Sequence, residues 1–347
     1  MKLNNKYLLI LLGAALFASG CRPKDEQSIH YDRVVDLDGK WKFSIGDDMR
    51  WADSKYNDDN WEEIKVPSSW EDQGFNGLDG YAWYRIHFRY DDRIKSQDVY
   101  LNLGRVDDAD QTYLNGHLLG FTGTFPPNIQ TAYYVFRRYY IPPDYFNKNG
   151  DNVIAVRVYD IQLSGGILEG NPGIEIEDPG VAPDFNLAGI WKFKTGDDSL
   201  YSEINYRDSA WSKITVPQKW EVEGYPDYDG IAWYRKEFTL PDNLSDKSLF
   251  LLMGKIDDID QTYLNGKLLG YTGYFNFEPP RYNGNDYLRV RAYKIPAGYL
   301  NTNGKNIIAV RVYDGFKDGG IYEGPVGIIT NEKYSSFWRE ISSKNRF

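Results

Sequence analysis

DDADQTYLNGHLLGFTG, residues Asp107–Gly123, returns 150 residues later as DDIDQTYLNGKLLGYTG, residues Asp257–Gly273. Three of the 17 positions differ: Ala109/Ile259, His117/Lys267 and Phe121/Tyr271. The stretch reads as a hairpin. Asn115-Gly116 and Asn265-Gly266 each lie between two apolar runs, and the tight turn they favour needs positive φ at both central residues. Outward from the hairpin the offset of 150 also aligns Trp41/Trp191, Trp61/Trp211, Trp70/Trp220 and Ala82-Trp83-Tyr84-Arg85 with Ala232-Trp233-Tyr234-Arg235. After a four-residue insertion it becomes 154, aligning Val156-Arg157-Val158-Tyr159-Asp160 with Val310-Arg311-Val312-Tyr313-Asp314, and Gly165-Gly166-Ile167 with Gly319-Gly320-Ile321. A period of this length is one globular domain, not a solenoid unit.

Within each copy the signal is strand. Asn152–Tyr159 is rich in β-branched and aromatic residues, with Ile154, Val156 and Val158 on one face at period two and Arg157 and Tyr159 on the other. Val99–Leu103 and Trp83–Phe88 read the same way, and no stretch gives a long amphipathic helical period. Short strands with turn signals about every 8–12 residues predict β-sandwiches.

The ends differ in kind from the repeats. Lys2 and Lys6 precede an apolar run of 11 residues, Tyr7–Phe17, shorter than the roughly 20 that span a bilayer. Ala18-Ser19-Gly20 then leads to Cys21, the single cysteine. The arrangement resembles a bacterial lipoprotein signal, which implies lipidation of Cys21 and anchoring to the cell envelope. Cys21-Arg22-Pro23-Lys24-Asp25-Glu26 is similar to the Lys-acidic tag of some Bacteroidetes surface lipoproteins. The expected organisation is signal 1–20, tether 21–35, first domain 36–176, linker 177–184, second domain 185–329 and tail 330–347, in which Ser335–Ile341 is expected to pack back as a short helix. With Cys21 acylated no thiol remains for a disulfide, a cysteine-ligated metal or thiol catalysis. The formal charge of −10 and the lack of any polybasic block argue against nucleic acid as a partner.

Taken in order, the motifs are a tryptophan before Val-Pro (Trp61, Trp211), Trp70/Trp220, Asp79-Gly80-Tyr81-Ala82-Trp83-Tyr84-Arg85, the Asp107–Gly116 stretch, Arg137 with Tyr139 and Ile141-Pro142, Asn152–Asp160 and Gly165-Gly166-Ile167. This series, present twice, resembles the sugar-binding (galactose-binding-like, jelly-roll) domain of family 2 glycoside hydrolases and some sialate O-acetylesterases. The resemblance implies an all-β chain of two tandem galactose-binding-like jelly-roll sandwiches. In those enzymes catalysis lies in other domains. Here no G-x-S-x-G elbow occurs, nor an alternating strand–helix series able to build a barrel.

The candidate sugar contacts are Trp70, Asp79, Tyr81, Arg85, Asp108, Asp110 and Glu169 in the first copy, and Trp220, Asp229, Arg235, Asp258, Asp260 and Glu323 in the second. Each has a structural alternative. The cluster Asp107/Asp108/Asp110 (and Asp257/Asp258/Asp260) offers carboxylates to a sugar or hard oxygens to a structural calcium, or else caps turns. Arg85/Arg235 and Arg157/Arg311 either reach sugar or pair with those aspartates. Glu169/Glu323 follow glycines that permit close approach of a ligand. Trp70/Trp220 either stack on a sugar or close the sandwich. The loop after Gly123/Gly273 diverges most, and either sets ligand preference or makes the contact between domains. No histidine has a counterpart in the other copy, so neither a His-ligated metal nor a His mechanism is favoured.

The expected function is that of a non-catalytic carbohydrate-binding lipoprotein of the outer membrane, needing no cofactor beyond that calcium, holding an oligo- or polysaccharide for separate glycan-degrading enzymes. Two alternatives stand beside it: an accessory fragment or divergent β-galactosidase-like hydrolase, and a structural subunit that docks a partner enzyme.

Overall fold

The computed structural model describes residues 31–94, 98–177 and 182–344. The signal segment, Cys21, most of the tether and linker residues 178–181 lie outside these. Each repeat forms two antiparallel sheets. The six-stranded sheet of the first copy runs Glu62–Val66, Gly39–Ile45, Gly80–Arg89, Asp151–Asp160, Ala109–Leu114, His117–Thr122. The second copy repeats the order with Ser212–Val216, Gly189–Thr195, Gly230–Thr239, Lys305–Asp314, Ile259–Leu264 and Lys267–Thr272. The facing sheet centres on Val99–Asp107 in the first copy and on Leu249–Asp257 in the second. Asn115 and Gly116 have φ of 50° and 83°, Asn265 and Gly266 of 51° and 78°, as the hairpin reading requires.

Alternation along the strands sorts side chains into two apolar layers. Inward-facing Trp41, Phe43, Tyr84, Leu101, Ile154 and Val156 form the core between the sheets, matched by Trp191, Phe193, Tyr234, Leu251, Ile308 and Val310. Trp83, Tyr113 and Ala155 point to the opposite face and are covered by Trp51 and Trp61; Trp233, Tyr263 and Ala309 repeat this with Tyr201 and Trp211.

Two differences from the expected boundaries stand out. Tyr31–Asp36 is already a strand, paired with Gly173–Glu177, so residues 31–35 belong to the first sandwich rather than to a tether. The tail is one continuous helix, Asn331–Lys344, longer than the one or two turns expected. It covers the outer face of the Leu249–Asp257 sheet: Phe337 is buried with Leu252 and Ile329, and Tyr334 stacks on Phe250 at 3.7 Å between centroids. The first copy has Asn102 where the second has Leu252, and its face there is polar, with Asn102 donating to Glu175.

Candidate functional site

At one end of each sandwich the chain crosses from one sheet to the other at the repeated acidic pair. Asp107 ends Val99–Asp107, Asp108 precedes Ala109–Leu114, and Asp160 ends the neighbouring strand Asp151–Asp160. The Asp108 N–H donates to the Tyr159 carbonyl at 3.0 Å, which fixes the crossing against that strand. The second copy does the same with Asp257, Asp258 and Asp314, and the Asp258 N–H donates to Tyr313 at 2.9 Å. One carboxylate oxygen from each member of a triad lies within 4.8 Å of the other two.

The triads are electrostatically loaded. Burial, then the hydrogen bond and charge of Asp108, push Asp107 up to about 7. Burial and the charge of Asp108 also push Asp160 up to about 7. In the second copy burial and Asp258 push Asp257 up to about 8, and Asp314 rises to about 7. Asp160 and Asp314 are fully buried. The Gln162 backbone N–H acts on Asp160, and Oδ2 of Asp314 has no hydrogen-bond partner. Asp108 is better served, accepting from the Thr131 hydroxyl and from the Ile161 N–H at 2.9 Å.

Above the first triad opens a cleft of about 370 Å³ lined by Asp107, Asp108, Thr131, Tyr133, Gln162 and Leu163, among others. Its rim carries rings and apolar side chains that face solvent: Tyr133 is 56% exposed and Leu163 80%. Beside the second triad Phe316 is 67% exposed, with its backbone N–H on Asp314 at 3.2 Å, and Tyr282 is 39% exposed.

The structure distributes the sequence candidates unevenly. Asp108 and Asp258 lie in the triads, and Asp79 and Asp229 are exposed beside them, close enough for their charges to act on Asp160 and Asp314. Asp110 and Asp260 do not join the cluster. Both are fully buried and bond across the sandwich to Arg137 at 2.9 Å and Arg291 at 3.1 Å, each also accepting from a tyrosine, Tyr139 or Tyr293. Arg85 and Arg235 do not pair with the acid cluster: they pair with Asp58 at 2.6 Å and Asp208 at 2.9 Å and donate to backbone carbonyls, buried beneath the outer aromatic layer. Arg157 and Arg311 pair with Asp47 and Asp197 and with Gln111 and Gln261.

Trp70 and Trp220 are fully buried against Phe43 and Phe193 and cannot stack on a sugar. The glycines before Glu169 and Glu323 admit these rings rather than a ligand: a Cβ on Gly165 or Gly319 would lie 1.9 Å or 2.1 Å from the indole. Glu169 and Glu323 are exposed and ion-paired with Arg105 at 3.3 Å and Lys255 at 2.8 Å. Tyr81 is half-buried, stacked on Phe125 at 5.8 Å and capped by Arg157. Its place in the second copy is taken by Ile231. Asp160 and Asp314 were legible in the sequence as the repeated end of Val-Arg-Val-Tyr-Asp.

Comparison with known proteins gives the family. The profile described as the beta-galactosidase second all-beta domain matches residues 46–163 and 201–315. A beta-glucuronidase of Formosa agariphila is 30% identical over 108 residues, which is 27% of this chain and 11% of that protein. A beta-galactosidase of Photobacterium profundum is 25% identical over 111 residues, 25% of this chain and again 11% of the relative. The matched segment thus spans about a tenth of these curated relatives. Among solved structures, a Bacteroides uniformis beta-glucuronidase aligns over 82% of this chain and 28% of its own, at 16% identity and a TM-score of 0.37. The profile matches well over half of the chain, once in each repeat, and the chain belongs to the family of the beta-galactosidase second all-beta domain.

Proposed function

We propose that the chain is a non-catalytic carbohydrate-binding protein whose two sandwiches each grip a glycan at the loop-end acid cleft. One observation carries this reading: in both copies, carboxylates at the crossing point lie beside solvent-facing rings, Tyr133 in the first and Phe316 and Tyr282 in the second. A pyranose presents a C–H face to such a ring and donates its hydroxyls to the acids, and each stacked ring contributes roughly 1 kcal/mol by area. A single shallow site at millimolar affinity supplies about −4 kcal/mol. Two tethered sites on one polymer gain a factor of about 10² when both engage, which gives the duplication a physical use. A structural calcium at the acid clusters belongs to the same reading. So do a lipid anchor on Cys21, an outer-membrane location and separate glycan-degrading enzymes as partners.

The family match favours a second reading, an accessory part of a beta-galactosidase-like glycoside hydrolase. Against activity in the chain itself, a glycosidase pair flanks the scissile bond from two sides, whereas these acids converge within 4.8 Å on one spot. Affinity electrophoresis through plant and host polysaccharides separates the readings. The wild-type chain is expected to be retarded on at least one glycan, and Tyr133→Ala with Phe316→Ala to restore free mobility. Unaltered mobility throughout the panel counts against glycan binding, and release of reducing sugar by the pure chain favours the hydrolase.

A further inference from the structure

We infer that the edge strand Lys267–Thr272 of the second sandwich docks a further sandwich of this same domain family, carried by another polypeptide. Lys65 and Asp72 keep the chain's own first sandwich out of that role. The inference is independent of glycan binding.

The first copy shows what such a hairpin docks on. Its edge strand His117–Thr122 packs against Gly189–Thr195, Ser212–Val216 and the turn Trp220–Glu223 of the second sandwich. The Thr215 hydroxyl accepts from the Phe121 N–H and donates to the Phe121 carbonyl, both at 3.3 Å, and the Gly123 N–H reaches the Val222 carbonyl at 2.6 Å. Ser212–Val216 is itself the edge of its sheet, so opposite edges of two sheets abut.

The second hairpin has the same groups and lies at the end of its sheet. Its register repeats that of the first at the offset of 150, so the Tyr271 N–H and C=O and the Gly273 N–H point outward as those of Phe121 and Gly123 do. Leu119, Gly120 and Gly123 are buried, whereas Leu269, Gly270 and Gly273 are half-buried and Leu268 and Tyr271 face solvent. Edge groups of this kind pair with other chains unless cover or charge prevents it. A groove of about 460 Å³ beside the strand is walled by Leu268, Tyr271, Gly273 and Tyr274. Gly273 and Tyr274 stand where Gly123 and Thr124 meet residues 222–224 in the first copy, so the groove is the place for a partner's turn.

The docked contact also defines the occupant. It uses a hydroxyl on an edge strand, an apolar residue in the turn that follows and a glycine after that: Thr215, Val222 and Gly224. The second copy's set is already engaged within the chain. The first copy keeps the glycine, Gly74, but has Lys65 and Asp72 at the other two positions, both exposed. Its edge strand reads Glu62-Glu63-Ile64-Lys65-Val66, against Ser212-Lys213-Ile214-Thr215-Val216. Charges, lysine above all, bar edge-to-edge pairing, and an ammonium offers the Tyr271 N–H no acceptor. A head-to-tail contact does not close on itself and would string copies into filaments. The charged first edge prevents that and leaves the second edge for a different chain.

The test uses full chains. Wild type supplies the open edge. The variant Lys65→Thr/Asp72→Val/Tyr271→Lys supplies the acceptor face, its own edge being blocked by the new lysine. Isotope-labelled wild type is titrated with unlabelled variant and followed by amide shifts and sedimentation. A one-to-one complex is expected, with shifts centred on Tyr271 and Gly273. Tethered domains hold the same contact at an effective concentration of order millimolar, so the titration runs to about 1 mM. Tyr271→Pro in the labelled chain, tolerated where an edge N–H faces outward, should weaken the complex at least about tenfold. The inference is overturned if no complex forms by about 1 mM, or if Tyr271→Pro leaves the affinity unchanged. Self-association of wild type through Tyr271 would assign the edge to a second copy, and shifts at Tyr271 and Tyr274 on adding polysaccharide would assign the groove to sugar. Either result also overturns it. Should the triple variant not fold, Lys65→Ser with Tyr271→Lys serves as the acceptor under the same criteria.

Discussion

Glu223 and Gln73 occupy the same place in the two copies, and comparing them shows how protonation substitutes for an amide. Gln73 accepts the Lys65 N–H at 2.5 Å and donates its amide to the Lys65 carbonyl at 3.0 Å. Glu223 accepts the equivalent Thr215 N–H at 3.2 Å, and its other oxygen has no partner. Burial holds its pKa well above 4.5. A proton on that oxygen reproduces the donor that Gln73 has permanently. A carboxyl whose folded pKa is raised costs stability as pH climbs from its unfolded value to its folded one, and the cost is absent below both. Glu223→Gln is therefore expected to match the wild type near about pH 5 and to be more stable by about 1 kcal/mol or more near about pH 8, read from denaturant midpoints. A constant difference across that range contradicts the assignment. Residue roles of this kind were only partly legible. A buried Arg85 needs an acid partner, and the acid cluster was one of its two expected roles, yet strand parity separates them. Arg85 lies one residue from inward-facing Tyr84 and so points to the outer layer, while Asp110 points into the core. The true partner of Asp110, Arg137, was visible in the spacing Arg137-x-Tyr139, repeated as Arg291-x-Tyr293. What the sequence lacked was the pairing of sheets across the sandwich.

The elements show a different asymmetry. The strand His117–Thr122 is the outer edge of its sheet, and the second domain closes it. Phe121 bonds through both N–H and C=O to the Thr215 hydroxyl at 3.3 Å, and the Gly123 N–H donates to the Val222 carbonyl at 2.6 Å. Lys267–Thr272 is nearly identical in sequence and also an edge, but it stays open: Tyr271 is 60% and Leu268 43% exposed. Sequence could not separate these two hairpins, because the difference lies in what abuts them. For the divergent loop, the contact between domains is realised in the first copy, where Thr124 packs on Gly224. Amide exchange gives a clean reading, since protection follows hydrogen bonding and burial. Phe121 and Gly123 are expected to exchange at least about tenfold more slowly than Tyr271 and Gly273. Equal rates contradict the docking of the first edge on the second domain. The strands themselves were legible almost throughout, since period-two patterning and the Asn-Gly turns are local. The tail helix exceeds the expected Ser335–Ile341, and it packs on the sheet through Tyr334, Phe337 and Trp338.

At the scale of the whole molecule, two sandwiches of one family are joined in series, each with an acid triad at the crossing between its sheets. The exposed rings beside those triads fit gripping a glycan, and the convergent acids fit holding an ion. Six of the thirteen candidates read from the sequence instead maintain the fold: Trp70, Trp220, Arg85, Arg235, Asp110 and Asp260 are all buried. The most direct test is calorimetric titration of the intact chain with soluble polysaccharides, the same samples being analysed afterwards for new reducing ends. The account predicts saturable heat with at least one glycan, affinity that falls by about 10² when the polymer is cut to fragments too short to reach both domains, and no new ends. Heat from none of the glycans, or new reducing ends from pure protein, would contradict it.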